Sequence, residues 1–353
     1  MLLSLPTVGV SVRQHIGLGR GLGRLATATV LVSATVVTSL AATLAGATLA
    51  SAASCTQTGF FRDGTNLTAA LIDPTNPVTE TINAAGCNIG VYFGPGSSGS
   101  VTGATVENAT YFGVANNGGN VSVTDSTVTQ IGDVPFSGDQ HGVGIYFAPD
   151  NPSTGVIMDN MVSQYQKGGI VVNGAGSSAT ISGNNVIGLG AVAFIAQNGI
   201  EVGLGAMATI TDNYVYGNAY SGTNDASSAG ILIWGGPGYG GAYTTGITVF
   251  KNVLVNNDIG VALFNVASNG GPAQGRMMNR VVNNVISDTL TSNISGNGLP
   301  YGYQAGISVY ENGDQIAQNK ISGIGYDPAY APSGSVFIAI DMTFTSTPRA
   351  HHD

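Results

Sequence analysis

Apolar residues recur along this chain in two short patterns that alternate with one another. The first, Ile/Val-x-x-Asn-x-Val/Leu/Ile, reads Ile157-x-x-Asn160-x-Val162, Ile181-x-x-Asn184-x-Val186, Ile210-x-x-Asn213-x-Val215, Val249-x-x-Asn252-x-Leu254, Val281-x-x-Asn284-x-Ile286 and Ile316-x-x-Asn319-x-Ile321. Two degenerate copies precede them, at Val101, Ala104, Val106 and at Val123, Ser126, Val128, with a smaller residue in place of the Asn. The second pattern, Gly-Ile/Val-x-Val/Ile/Leu, falls between the copies. Its glycines are Gly90, Gly113 in truncated form, Gly142 or Gly144, Gly169, Gly199, Gly230, Gly260 and Gly306. Apolar positions two apart predict strands rather than helices, and a period of roughly 22 to 35 residues marks a solenoid.

Each turn of such a chain contributes two or three short strands and cannot bury its inner face alone. Successive turns must therefore pile up around a shared Ile and Val core. Glycine and asparagine tolerate left-handed backbone, so both are expected where the chain corners.

From about Cys87 to Ile340 these repeats resemble the right-handed parallel β-helices of the pectate-lyase-like superfamily. The resemblance rests on repeat grammar, and it implies an all-β solenoid of roughly 8 to 10 coils with an N-terminal cap. It further implies that Asn160, Asn184, Asn213, Asn252, Asn284 and Asn319 occupy one tight turn in successive coils and stack into an internal ladder. Each amide can accept from one neighbour and donate to the next, worth about 1 kcal/mol net apiece. These asparagines are thus assigned a structural role.

Residues 1–52 behave differently from the rest. They carry Arg13, Arg20 and Arg24 with no acid, then an apolar, Thr- and Ala-rich run from Leu25 to Ala50, then Ala50-Ser51-Ala52 as a small-residue cleavage site. That is the form of an export signal, and a secreted, extracellular protein is expected. A retained membrane anchor is less favoured because Thr and Ser interrupt the run. A lipid anchor on Cys55 is less favoured because Ala52 stands where such a signal normally has Leu. Residues 53–89 are expected to form the cap and first coil, 90–345 the β-helix and 346–353 a tail. In that tail His351, His352 and Asp353 offer opportunistic metal ligands.

Composition narrows the partners. Only 8% of the residues are charged while 53 are glycine, and abundant β-branched residues argue against disorder. Without its three signal arginines the chain carries seven basic against nineteen acidic residues, a net charge of −12. So acidic a chain is a poor ligand for phosphate backbones, and nucleic acid is not an expected partner. The mature chain is expected to be a monomer outside the membrane. Its two cysteines, Cys55 and Cys87, lie at its start, where export permits a disulfide that ties down the cap.

Strand alternation points two apolar residues of each Gly-Ile-x-Val inward, so x and the residue two places later point out. The first outward row holds Tyr92, Tyr146, Val171, Glu201, Leu232, Ala262 and Ser308; the next holds Asn173, Gly203, Trp234, Phe264 and Tyr310. Trp234, Phe264 and Tyr310 fall on three consecutive coils as an aromatic strip. Such a strip suits the C–H faces of sugar rings unless the loops at 235–246 and 267–275 fold over it. Two residues before each glycine lie Gln140, Lys167, Gln197, Ser228, Asp258 and Gln304, which with Asp139, His141 and Glu201 make the densest polar cluster.

These rows point to an extracellular polysaccharide as the partner, bound on the outward face, with processing there as the further expectation. A lyase needs a base and a cation that neutralises the uronate carboxylate. Lys167 or His141 offers the base, with Asp139 or Glu201 near a cation such as Ca²⁺. A hydrolase needs two flanking carboxylates, for which only Glu201 and Asp258 qualify. Gln197, Asp258, Gln304 and the aromatic strip are the candidate substrate contacts. Compared with the superfamily, the signatures of polygalacturonases, pectate lyases and epimerases are missing, and His141-Gly142 stands without its companions. A non-catalytic surface or adhesive scaffold is the competing expectation.

Overall fold

The computed structural model describes residues 54–224, 226–294 and 302–343; the segment expected to be an export signal and the expected tail from 346 to 353 lie outside these. Its strands form three long sheets of eleven, eight and nine members. A typical coil runs from Gly168–Asn173 in the first sheet through Ser178–Ser182 in the second to Asn185–Val192 in the third. The next begins at Asn198–Gly203, pairing in parallel with the strand one coil earlier. Among the described residues nine coils stack in this way, as the nine-stranded third sheet counts them. Among the described residues no helix is long and apolar enough to cross a membrane.

The two sequence patterns fix the register. Ile157, Ile181, Ile210, Val249, Val281 and Ile316 lie side by side in the second sheet. Across the turn, Val162, Val186, Val215, Leu254, Ile286 and Ile321 do the same in the third. Between these rows the six asparagines form one column. Each Nδ2 donates to the next Oδ1 at 2.9 to 3.0 Å, from Asn160 through to Asn319. The same oxygen accepts the main-chain N–H of the preceding asparagine. Ser126 continues the column, its N–H donating to Asn160 and its hydroxyl accepting from Ala104. The degenerate copies are therefore true members of the ladder.

One expectation is corrected. The left-handed corner is taken by the residue before each ladder position, at Asp125, Asp159, Gly183, Asp212, Lys251, Asn283 and Gln318, with φ between 51° and 67°. The asparagine follows the corner and closes it with its side chain.

The repeated glycine serves packing. A Cβ added at Gly169 would lie 2.4 Å from Val186 Cγ1 and 2.6 Å from the Gly199 carbonyl, so it would point into the core. The same collision recurs at Gly90 with Val106, Gly113 with Val128, Gly144 with Val162, Gly199 with Val215, Gly260 with Ile286 and Gly306 with Ile321. Gly144, not Gly142, is thus the repeat glycine of its coil. Because Gly169 and the buried Ile170 both face inward, the simple alternation of a strand is broken there. The consequence for the candidate site is direct.

A hairpin and a disulfide close the first coil. Cys55 and Cys87 are disulfide-bonded with Cα atoms 5.4 Å apart. Strands Thr56–Arg62 and Thr65–Ile72 form an antiparallel hairpin that joins the edge of the first sheet. Its first strand also folds over the outer face: Phe60 packs on Tyr92 and Phe112, and the Arg62 guanidinium lies 4.2 Å from the Phe60 ring. Arg62 is held there by Asp150 at 2.8 Å. Tyr92, Phe112, Val143, Tyr146 and Val171 consequently form a second, smaller apolar cluster outside the coil.

Candidate functional site

The outward rows of the first sheet stand in the expected register. Tyr146, Val171, Glu201, Leu232, Ala262 and Ser308 pair in sequence, as do Asn173, Gly203, Trp234 and Phe264. What differs along them is cover. The cap seals the face as far as Val171, and the first acidic group beyond it is Glu201.

Glu201 is 5% exposed, and its carboxylate is fixed from three strands. Oε1 accepts the Trp234 indole N–H at 2.9 Å and the Asn173 amide at 3.5 Å, while Oε2 accepts from Asn198 at 3.2 Å. Gly203, between Asn173 and Trp234, makes this possible: a Cβ there would lie 2.2 Å from Trp234 Nε1 and 2.7 Å from Asn173 Oδ1. Asn173 Oδ1, itself buried, has no hydrogen-bond partner among the described residues. The Lys167 ammonium donates to the Ala196 carbonyl at 2.9 Å. Burial lowers its pKa and the negative charge of Glu201 works against that shift.

The aromatic strip is assembled but partly covered. Phe264 and Tyr310 stack with ring centroids 4.8 Å apart, and Trp234 meets Tyr239 edge-on at 5.1 Å. The Tyr310 hydroxyl donates to the Gly270 carbonyl at 3.1 Å. Trp234, Phe264 and Tyr310 are each half-buried, so the loops lean on the strip and leave part of every ring to solvent.

The polar row two residues before the glycines does not join them. Gln197, Asp258 and Gln304 are wholly buried. Gln197 donates to the Tyr165 carbonyl and accepts from the Leu189 N–H. Asp258 accepts from Tyr220 N, Ser228 N and the Ser292 hydroxyl, and Gln304 donates to Asp288 and the Leu290 carbonyl. These side chains pin the connections from the third sheet to the first. The cause is the inward-facing glycine, which shifts the alternation by one and turns this row away from the surface. Asp258 therefore cannot flank a bond opposite Glu201, and the expected carboxylate pair is not assembled. Gln140 belongs to no such row, since Gly144 is its coil's repeat glycine.

His141 and Asp139 lie apart from Glu201, on the loop between Thr127–Thr129 and Val143–Phe147. There they meet Asp133, which the repeat pattern did not single out. His141 Nε2 is 2.9 Å from Asp133 Oδ1, and its ring stacks on Tyr111 at 4.1 Å. Partial burial opposes ionisation of Asp133, but hydrogen bonds from Ser137 and His141 outweigh it and hold the carboxyl below the ordinary aspartate range.

A family model described as a right handed beta helix region matches residues 71–239. With the coil geometry above, this makes the chain a right-handed parallel β-helix repeat protein, and its likeness to the pectate-lyase-like superfamily is consistent with both. No curated protein matches it. Among solved structures, the Dettilon tailspike protein aligns with 15% identity over 72% of this chain and 49% of its own, at a TM-score of 0.42. The DFA-IIIase from Arthrobacter chlorophenolicus A6, in complex with GF2, aligns with 13% identity over 74% of this chain and 61% of its own, at 0.43. The chain thus spans about half the length of the first and three-fifths of the second, so any function must be argued from its own residues.

Proposed function

We propose that this chain is a secreted β-helix protein that binds an uncharged extracellular polysaccharide along the outer face of its first sheet, from Asn198 towards Asp341. The observation that carries this is the half-exposed row Trp234, Phe264 and Tyr310 beside the fixed carboxylate of Glu201. Aromatic surface accepts sugar C–H faces, and a carboxylate already oriented by an indole and two amides accepts sugar hydroxyls at little further entropic cost. The charge balance supports a neutral glycan over a polyuronate. Glu201 repels a uronate, the nearby ammonium of Lys167 is committed to a main-chain carbonyl, and the mature chain carries −12 overall. Binding without bond cleavage is the better supported reading, because among the described residues no second carboxylate is placed to work with Glu201.

A glycan array with neutral and uronate polysaccharides tests this. Saturable binding to a neutral glycan is expected, weakened about tenfold or more by Trp234→Ala or Phe264→Ala, the range for loss of an aromatic anchor. Glu201→Gln keeps the shape and should weaken binding less. Failure to bind any glycan, or binding that these substitutions leave untouched, defeats the reading and favours an inert scaffold. Release of reducing ends or of unsaturated uronate would defeat the non-catalytic part.

A further inference from the structure

The backbone of the loop carrying His141 is fixed from beneath. Beneath it lies Gln166, wholly buried, whose Oε1 accepts the N–H groups of Asp133 and Ser137 at 3.0 Å and whose Nε2 donates to the Asp139 carbonyl at 2.9 Å. The loop closes down so tightly on this side chain that a Cβ at Gly132 or Gly142 would fall 2.6 or 2.5 Å from Gln166 Cβ. The backbones of both aspartates are thereby fixed from one point in the coil. His141 is fixed separately, by its stack on Tyr111 with 17° between the ring planes. One ligand atom each from Asp133, Asp139 and His141 then lies within 4.8 Å of the other two.

We propose that Asp133, Asp139 and His141 bind a divalent first-row transition-metal ion such as Zn²⁺ or Mn²⁺. The donor set is one imidazole nitrogen and two carboxylate oxygens. An imidazole donor selects transition metals over Ca²⁺, which takes oxygen ligands. Metal–ligand bonds of this kind are about 2.0 to 2.2 Å long, so two ligands stand about 3 Å apart at the right angles of an octahedral ion and about 3.4 Å apart at the tetrahedral angle of zinc. His141 Nε2 and Asp133 Oδ1 are already 2.9 Å apart. On binding, the neutral imidazole carries its proton on Nδ1 and gives the Nε2 lone pair to the ion, which replaces the hydrogen bond between the two residues. Asp139 is exposed and closes onto the ion from the solvent side, and the remaining positions are left to water or a ligand hydroxyl. The site is independent of the glycan-binding face. The loop does touch the neighbouring one, for a Cβ at Gly138 would lie 3.0 Å from the Phe194 carbonyl.

Titration calorimetry on the metal-stripped full chain, with Zn²⁺, Mn²⁺ and Ca²⁺ as separate probes, decides the matter. One equivalent of Zn²⁺ or Mn²⁺ should bind and raise the melting temperature, with Ca²⁺ much weaker. His141→Ala and Asp139→Asn should each weaken binding about tenfold or more, the usual loss when an element of a metal site is removed. Asp139→Asn alters an exposed residue, so its metal-free melting temperature should match the parent and separate lost affinity from lost fold. The double variant His351→Ala/His352→Ala should bind as the parent does. Absence of saturable transition-metal binding below about 1 mM, a weak threshold near −4 kcal/mol, overturns the proposal. So does binding that disappears in the tail variant and survives in both loop variants, or a preference for Ca²⁺.

Discussion

Asn213 Oδ1 accepts both the main-chain N–H of Asn184, at 3.0 Å, and its side-chain Nδ2–H, at 2.9 Å. Asn213 also donates Nδ2 to the Ile181 carbonyl and to Asn252. Truncation to alanine would leave these groups unpaired in a buried column, and each costs about 1 to 3 kcal/mol when desolvated and unsatisfied. Asn213→Ala should therefore lower stability by about 3 kcal/mol or more, measured as the shift in denaturation midpoint. Asn319→Ala, at the half-exposed end of the column, should cost about 1 kcal/mol because water can replace the amide. Equal losses at the two sites would show that the ladder does not act through burial. Asn213→Ser should fall between, as Ser126 already serves in the same column.

A second test concerns the glycine that faces the core. A Cβ on Gly199 would stand 2.4 Å from Val215 Cγ1 and 2.6 Å from the Gly230 carbonyl. Gly199→Ala should destabilise by about 2 kcal/mol or more through overpacking. Adding Val215→Ala removes only the side-chain collision, so the double variant should recover part of the loss and no more. Full recovery in thermal melts would mean that the main-chain contact is unimportant.

What the sequence displayed follows from this same packing. The Asn and Gly columns were legible because each recurs in nearly every coil, at positions whose neighbours are copies of themselves. The aromatic row Trp234, Phe264 and Tyr310 was legible because it lies after the glycine, where alternation is regular. Gln197, Asp258 and Gln304 were misplaced because they lie before it, and nothing in a two-residue period announces that Gly169 and Ile170 face the same way. The cap over Tyr92 and Tyr146 was hidden because Phe60 and Arg62 belong to no repeat. Asp133 was hidden for a like reason, since it meets His141 only through a loop that Gln166 organises from another coil.

The covered half of the outer face should open when its tether is cut. Cys55 and Cys87 are 32 residues apart, a loop whose closure is worth about 3 to 4 kcal/mol on the chain-entropy estimate. The paired variant Cys55→Ser/Cys87→Ser should lose stability of that order. Its hydrogen exchange should rise first in residues 56–72 and in the strands around Tyr92 and Phe112, because the hairpin covers them. Exchange that rises evenly over all nine coils would show that the cap is not a separate unit.

Buried acids give the fold a pH dependence of predictable sign. Asp258 is wholly buried; burial, reinforced by the charge of Asp288, pushes its pKa from 3.8 to about 7 despite the hydrogen bonds it accepts. Burial likewise raises Asp288 to about 7, although Leu290 and Gln304 donate to it. In both cases the folded chain holds the proton more tightly than the unfolded chain does. Ionisation therefore opposes folding: stability is greatest at the acid end, falls as pH rises from about 4 towards 7, and then levels off. For Asp258 the full effect is bounded at about 4 kcal/mol, from 1.36 kcal/mol for each tenfold change in proton affinity. Glu311, whose carboxyl burial and neighbouring Asp314 raise to about 8, carries the decline somewhat further. Melting temperatures recorded from pH 5 to pH 8 should fall across that range, and Asp258→Asn, uncharged throughout, should flatten the slope. A melting temperature that climbs with pH over the same interval, or a slope unchanged in the variant, would contradict the assignment of these carboxyls as neutral groups of the core.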